Sequence, residues 1–335
     1  MMWVVWRQQR SIVVAFFVAA VIFSLWLIVT GQHQQTLWNQ FLAAPCRGGF
    51  GATSSDSHFC EGLQSVVNGS SHLDDVATII GTIFAPLLGL ILGVNAVARE
   101  IEQKTNRLAW TQSGSRSKWL ASKYLTSVAT IVVVSAPLCL VLSWWVRASH
   151  DGARITPKVF PVSGFVEISY GVFCFVLAVA VGLVIRRAGW SLAVCIILFG
   201  ALFISFANQV RPHLVTPSVT SQQGAGIEEG SSSGFYSSGG APSNSWFFYQ
   251  GFEPVTTKGV RSQALLVKPT SAIYSCENKR LQESYCEHHL HLRFIEVYVP
   301  DGQFWTMQLY EGGFYLGLAA LLAAFSFFGI RRSKA

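Results

Sequence analysis

The sequence predicts an all-α polytopic membrane protein with six transmembrane helices, a short helix on the cytoplasmic face, and a small, partly β extracellular domain between helices 5 and 6. Three observations carry this expectation. Hydrophobic residues make up 51% of the 335 positions and charged residues only 12%, whereas a soluble domain carries about 25% charged residues. The apolar residues gather in blocks close to the roughly 20 residues needed to cross a hydrocarbon core. Lys and Arg concentrate in alternate connections between those blocks, as they do in loops held in the cytoplasm.

The blocks are Ser11–Thr30, Val76–Val97, Leu120–Val146, Val166–Ile185, Ser191–Ala207 and Leu309–Ile330, none with a charge near its centre. The first follows Arg7 and Arg10 as a secretory signal would, but it exceeds the apolar core of about 7–15 residues found in signals and reads as a retained span. Ahead of it, residues 1–10 read as an interfacial elbow, with Trp3, Trp6, Arg7 and Arg10 at the membrane surface.

Residues 11–207 hold spans one to five, with an extracellular loop at 31–75 and a cytoplasmic segment at 98–119. On the side of both termini fall Arg7, Arg10, Arg99, Lys104, Arg107, Arg116, Lys118, Lys123, Arg186, Arg187, Arg331, Arg332 and Lys334, against only Glu100 and Glu102. Both termini are therefore placed in the cytoplasm. The net charge of +7 reads as a topology signal, and no basic face remains for a nucleic acid.

From Ala98 to Ser113 there is no Pro or Gly, and Glu100 precedes Lys104 by one helical turn, so a helix along the membrane surface is expected. Trp110 and Trp119 would hold it against the bilayer. Residues 208–308 form the extracellular domain, with strands at Trp246–Tyr249, Ala264–Val267 and His291–Val299 and a flexible Gly/Ser loop at 220–245. Residues 309–335 are the last span and a basic cytoplasmic tail.

Cys46, Cys60, Cys276 and Cys286 fall outside, where disulfides persist. Pairing of neighbours gives Cys46–Cys60 and Cys276–Cys286, one of three connectivities open to four cysteines. Cys139, Cys174 and Cys195 lie within spans and pack as small apolar residues.

The chain has no G-x-x-x-x-G-K-[ST] loop and no cytoplasmic segment long enough for a nucleotide-binding fold, so energy from ATP must come through another polypeptide. Glu167 and Glu311 are the only span-associated carboxylates, both at outer ends. Ion-coupled carriers bury such groups at mid-membrane, so the spans read instead as a path for an amphipathic or lipid-like substrate. Cys286, His288, His289 and His291 are not taken as a metal site, since a disulfide removes the thiolate and strand alternation splits the imidazoles. No catalytic motif accompanies the outer Ser, His and Asp residues.

The run VAREIEQKTNRLAWTQS from Val97 to Ser113, followed by Arg116 and Trp119, resembles the first cytoplasmic loop of bacterial ABC-2 type ABC-transporter permeases. Trp6-Arg7-Gln8-Gln9-Arg10 resembles the elbow of that family, and Phe304-Trp305 with Gln308 and Glu311 the start of its last span. Gln209–Arg293 carries no resemblance, and Lys104 stands where the family has Gly.

The resemblance implies a permease subunit in the bacterial cell membrane, surrounded by lipid, that forms a homodimer and binds two ABC ATPase subunits. Those subunits would hold ATP and Mg and drive export of a drug, antibiotic, lipid or peptide. The first cytoplasmic loop would be the coupling helix. By position, Arg99, Glu100, Glu102, Lys104, Thr105 and Arg107 would meet the ATPase, with Ile101 and Leu108 as apolar anchors. The alternative is a membrane sensor or antibiotic-resistance component coupled to an ATPase without bulk transport.

Overall fold

The computed structural model describes residues 2–43, 71–103, 116–149, 154–222, 242, 244–254 and 292–332. Six helices among them are long and apolar enough to cross a membrane. They are α1 (Met2–Ala43), α2 (Ser71–Gly93), α4 (Arg116–Ser149), α5 (Val166–Ile185), α6 (Ala188–Ser205) and α7 (Phe304–Arg332), while α3 (Arg99–Glu102) is a single turn joined to α2 by the π-helix Val94–Ala98.

The spans containing α2 and α5 form the centre, with 61% and 67% of their apolar windows buried against 17% for α6 and 22% for each of α1 and α7. Lipid supplies as much apolar contact as another helix does, so close backbone approach decides which helices pack. Small residues one turn apart provide it here: Ala85, Gly89 and Gly93 on α2 meet Gly171, Ala178 and Gly182 or their neighbours on α5 and the π-helix. A Cβ added to Gly89 would overlap the Gly171 carbonyl oxygen, and one on Gly93 would lie 2.5 Å from that of Phe175.

Connections between spans follow local chemistry. α5 ends at Arg186, whose φ of 59° makes it the one non-glycine residue with positive φ among the described residues, and extended Arg187 leads directly into α6. Between α4 and α5, residues 154–165 form a chain of turns, exposed at Pro157 and Lys158 and buried from Val159 to Gly164, where a φ of 114° suits glycine. Gln308 of α7 secures that chain: its Oε1 accepts the Val166 N–H at 3.0 Å and its Nε2 donates to Ser163 O at 2.7 Å and Phe160 O at 3.2 Å. Arg154 adds two bonds of 2.9 Å to Asp301.

A three-stranded antiparallel sheet in the order β1 (Ser218–Gln222), β3 (Leu292–Val299), β2 (Trp246–Pro254) lies between α6 and α7 in sequence. Trp246 and Val299 pack with Ile155, Phe160, Phe304 and Met307, so the sheet rests on the 154–165 turns and the start of α7.

Several boundaries differ from the sequence reading. Residues 2–10 continue into the first span as one helix, not a separate surface elbow, because no Gly or Pro interrupts Met2–Thr30. Gly31, the expected start of the first loop, sits inside α1 against Trp144 and Trp145. The fifth span continues through the π-helix Phe206–Val210 and the 3-10 turn Arg211–His213, so residues 208–213 belong to the helical rod and not to the sheet domain. Thr220–Gln222, assigned to the flexible loop, pair with β3. The cytoplasmic helix expected over Ala98–Ser113 extends α2 through α3 and is capped at Gln103. Lys104–Ser115, the proposed strand Ala264–Val267, His288, His289, His291 and all four loop cysteines lie outside the described residues.

Candidate functional site

The bundle carries polar clusters at both ends. At the α3 end, the π-helix loosens the backbone ladder, with the Arg99 N–H bonding five residues back to Val94 O. Lys123 of α4 reaches into this junction. Its ammonium pairs with Glu100 at 2.6 Å, donates to Ala96 O, and lies 4.4 Å from the centre of the Trp119 ring. Lys123 is only 2% exposed and Glu100 12%, so each charge depends on the other in a place where water cannot replace it.

The neighbouring carboxylate has a different partner. Glu102 Oε2 accepts the Ala188 N–H at 3.0 Å, satisfying an opening donor of α6 where the N-cap Arg187 contributes no side-chain bond. Arg99 bonds Asn95 Oδ1 at 3.1 Å and remains exposed, while Ile101 packs against the apolar core.

Of the residues expected to meet an ATPase, Glu100 is turned inward to Lys123, Glu102 bonds Ala188 while remaining exposed, Arg99 faces outward, and Lys104, Thr105, Arg107 and Leu108 lie outside the described residues. Trp119 departs from the expectation of a membrane-surface anchor: it is 4% exposed. Its position one helical turn before Lys123 puts both on the same face of α4. Arg7 and Arg10 are exposed on α1, Trp3 and Trp6 belong to the same helix, and Trp110 lies outside the described residues. Cys139, Cys174 and Cys195 are free and buried.

At the opposite end, a cavity of about 490 Å³ opens between α2, the 154–165 turns and the α6 rod. Ile79, Ile83 and Phe203 give it apolar walls, and Asp75, Lys158 and Arg211 are its charged lining residues. Asp75 and Lys158 form an ion pair with both side chains half-exposed. Behind the wall, Arg211 holds Glu311 through bonds of 2.8 and 2.7 Å, and Tyr170 donates its hydroxyl to the same carboxylate. Arg211 is 2% exposed and Glu311 is fully buried.

Sequence reading named Glu311 at the outer end of its span but not its partner Arg211, which lies just past the apolar run of its own span, one hundred positions earlier. The available signal was the pair of charges flanking spans five and six at the same level, each without a nearby counter-charge in sequence.

Residues 17–211, more than half of the chain, match the model of a family described as ABC-2 membrane transporter related. No curated protein and no solved structure matches.

Proposed function

The chain belongs to the ABC-2 membrane transporter related family, and from this premise we propose that it is the permease subunit of an ATP-driven bacterial exporter of an amphipathic or lipid-like substrate. It is a multi-pass membrane protein and a transporter component distinct from the ATPase. The family implies an ABC ATPase partner. In the proposed assembly two ATPase subunits bind ATP and Mg and a second copy of this chain completes a homodimer, with both termini in the cytoplasm.

The observation that carries the export reading is the cavity of about 490 Å³, lined by residues of α2, the α6 rod and the 154–165 turns, with Asp75, Lys158 and Arg211 as its charged groups. A largely apolar, open groove with a few charged groups suits a molecule with a hydrocarbon body and a polar head. The sparse packing of α6 supports a wall able to shift.

On the ATPase side, Arg99, Ile101, Lys104, Thr105, Arg107 and Leu108 form the proposed coupling contact. Nucleotide-driven closure of the ATPase pair would displace this segment and pass motion into the spans. Reconstitution with the co-purifying ATPase in vesicles containing a fluorescent phospholipid tests the reading. ATP-dependent transfer of the probe between leaflets is expected. ATPase stimulation without transfer of this or a labelled amphipathic drug would favour sensing over transport.

A further inference from the structure

We propose that Glu100 and Glu102 are transmission residues: they tie the segment Arg99–Gln103 to α4 and α6, so that displacement of this segment is delivered to the cavity wall. This rests on the proposed coupling of the chain to an ATPase.

The two carboxylates are two positions apart on a helical turn, so they project about 200° apart around its axis. One therefore meets α4 and the other α6. Glu100 is fixed by Lys123, which also holds Ala96 O of the π-helix. Glu102, though exposed, accepts the N–H of Ala188 at 3.0 Å.

The covalent route through α2 is a poor transmitter by comparison. The backbone-to-backbone packing at Gly89 and Gly93 holds α2 on α5, and the π-helix Val94–Ala98 places an irregular ladder between α2 and the moving segment. The α6 rod also carries a π-helix, Phe206–Val210, but it differs from α2 in being loosely held. Its span is 17% buried, and it runs from Ala188 to His213 as continuous helical structure, about 35 Å at 1.5 Å per residue between Ala188 and Arg211. Its far end supplies Phe203, Asn208 and Arg211 to the cavity. A pull on Ala188 through Glu102 thus arrives at the cavity, while the Glu100–Lys123 pair carries α4 along.

The test places a bimane label on Asn208→Cys in transporter captured through a tag on the co-purifying ATPase, so that only assembled complex is read. Fluorescence is compared without nucleotide and with ATP and vanadate. A nucleotide-dependent shift is expected in the parent protein, at least fivefold smaller with Glu102→Ala or Lys123→Met, and retained with Glu102→Gln, whose amide oxygen still accepts the Ala188 N–H. The exchanged pair Glu100→Lys with Lys123→Glu should recover the shift, which separates transmission from a folding defect at Lys123. A full shift in Glu102→Ala would overturn the inference. Absence of any shift in the parent complex would sink the functional reading and this inference together.

Discussion

Arg211 and Glu311 meet through two hydrogen bonds of 2.8 and 2.7 Å, where neither side chain reaches solvent. The pair joins the end of the α6 rod to the first turns of α7. The paired geometry satisfies both groups, and the Tyr170 hydroxyl adds a third bond to the carboxylate. Removing one partner strands a charge in an apolar wall, which costs about 3–5 kcal/mol. Arg211→Met and Glu311→Met should each lower the apparent melting temperature in detergent markedly. The double variant should recover most of the loss, since apolar replacement of both members leaves no stranded charge. Equal losses in the double and single variants would show that the pair is not coupled.

The second expectation concerns the α2–α5 contact. Gly89→Leu has no room, because even a Cβ overlaps the Gly171 backbone oxygen. Gly200 on α6 has nothing within 4 Å of an added Cβ, and Ala there gains about 1 kcal/mol of helix preference. Gly89→Leu should abolish monodisperse folded protein on size exclusion, while Gly200→Ala should match the parent in yield and equal or slightly exceed it in melting temperature. Normal behaviour of Gly89→Leu would mean that the two helices are further apart.

A third expectation addresses the cavity. Ile83 is half-exposed on its wall, so Ile83→Trp adds volume without disturbing the α2–α5 seam. Transfer of the fluorescent phospholipid should fall at least several-fold with melting temperature unchanged within a few degrees. Undiminished transfer of both the phospholipid and a labelled drug would place the path elsewhere in the bundle.

The six spans were legible because apolar length alone identifies them, and every predicted block lies within an observed helix or overlaps it. Their ends were not. The sequence criterion stops at the last apolar residue, but backbone hydrogen bonding continues through Ala43 in α1 and through Asn208–His213 after α6. β1 went unread because a five-residue strand beside a Gly/Ser tract has little pattern of its own and is defined by pairing with β3, more than seventy positions later. Trp119 beside two cations looked like an interfacial anchor, yet the helical turn it shares with Lys123 turned it inward. Glu100 stood out in the sequence as an anion on a cationic face, while its partner, Lys123, had been counted among the topology-setting cations.

That reassignment moves the proposed ATPase contact onto the remaining cations of the loop, and it sets the last prediction. With Glu100 turned toward Lys123 while Arg99 and Glu102 stay exposed, we propose that Lys104 and Arg107 supply further charge for docking. Exposed ion pairs contribute about 0.2–1 kcal/mol each, so Lys104→Glu with Arg107→Glu should weaken ATPase binding by roughly tenfold once like-charge contacts replace attractive ones. The weakening should shrink as salt rises, because exposed charges are screened within about 10 Å at 0.1 M ionic strength. Titration of the tagged ATPase onto the permease in nanodiscs, at low and high salt, measures both quantities. Glu100→Gln in the same assay should leave affinity nearly unchanged, since that carboxylate is 12% exposed and turned toward Lys123. A reversed order, with Glu100→Gln costing affinity and the double charge reversal costing none, would return the docking surface to the carboxylates and deny the loop cations a part in it.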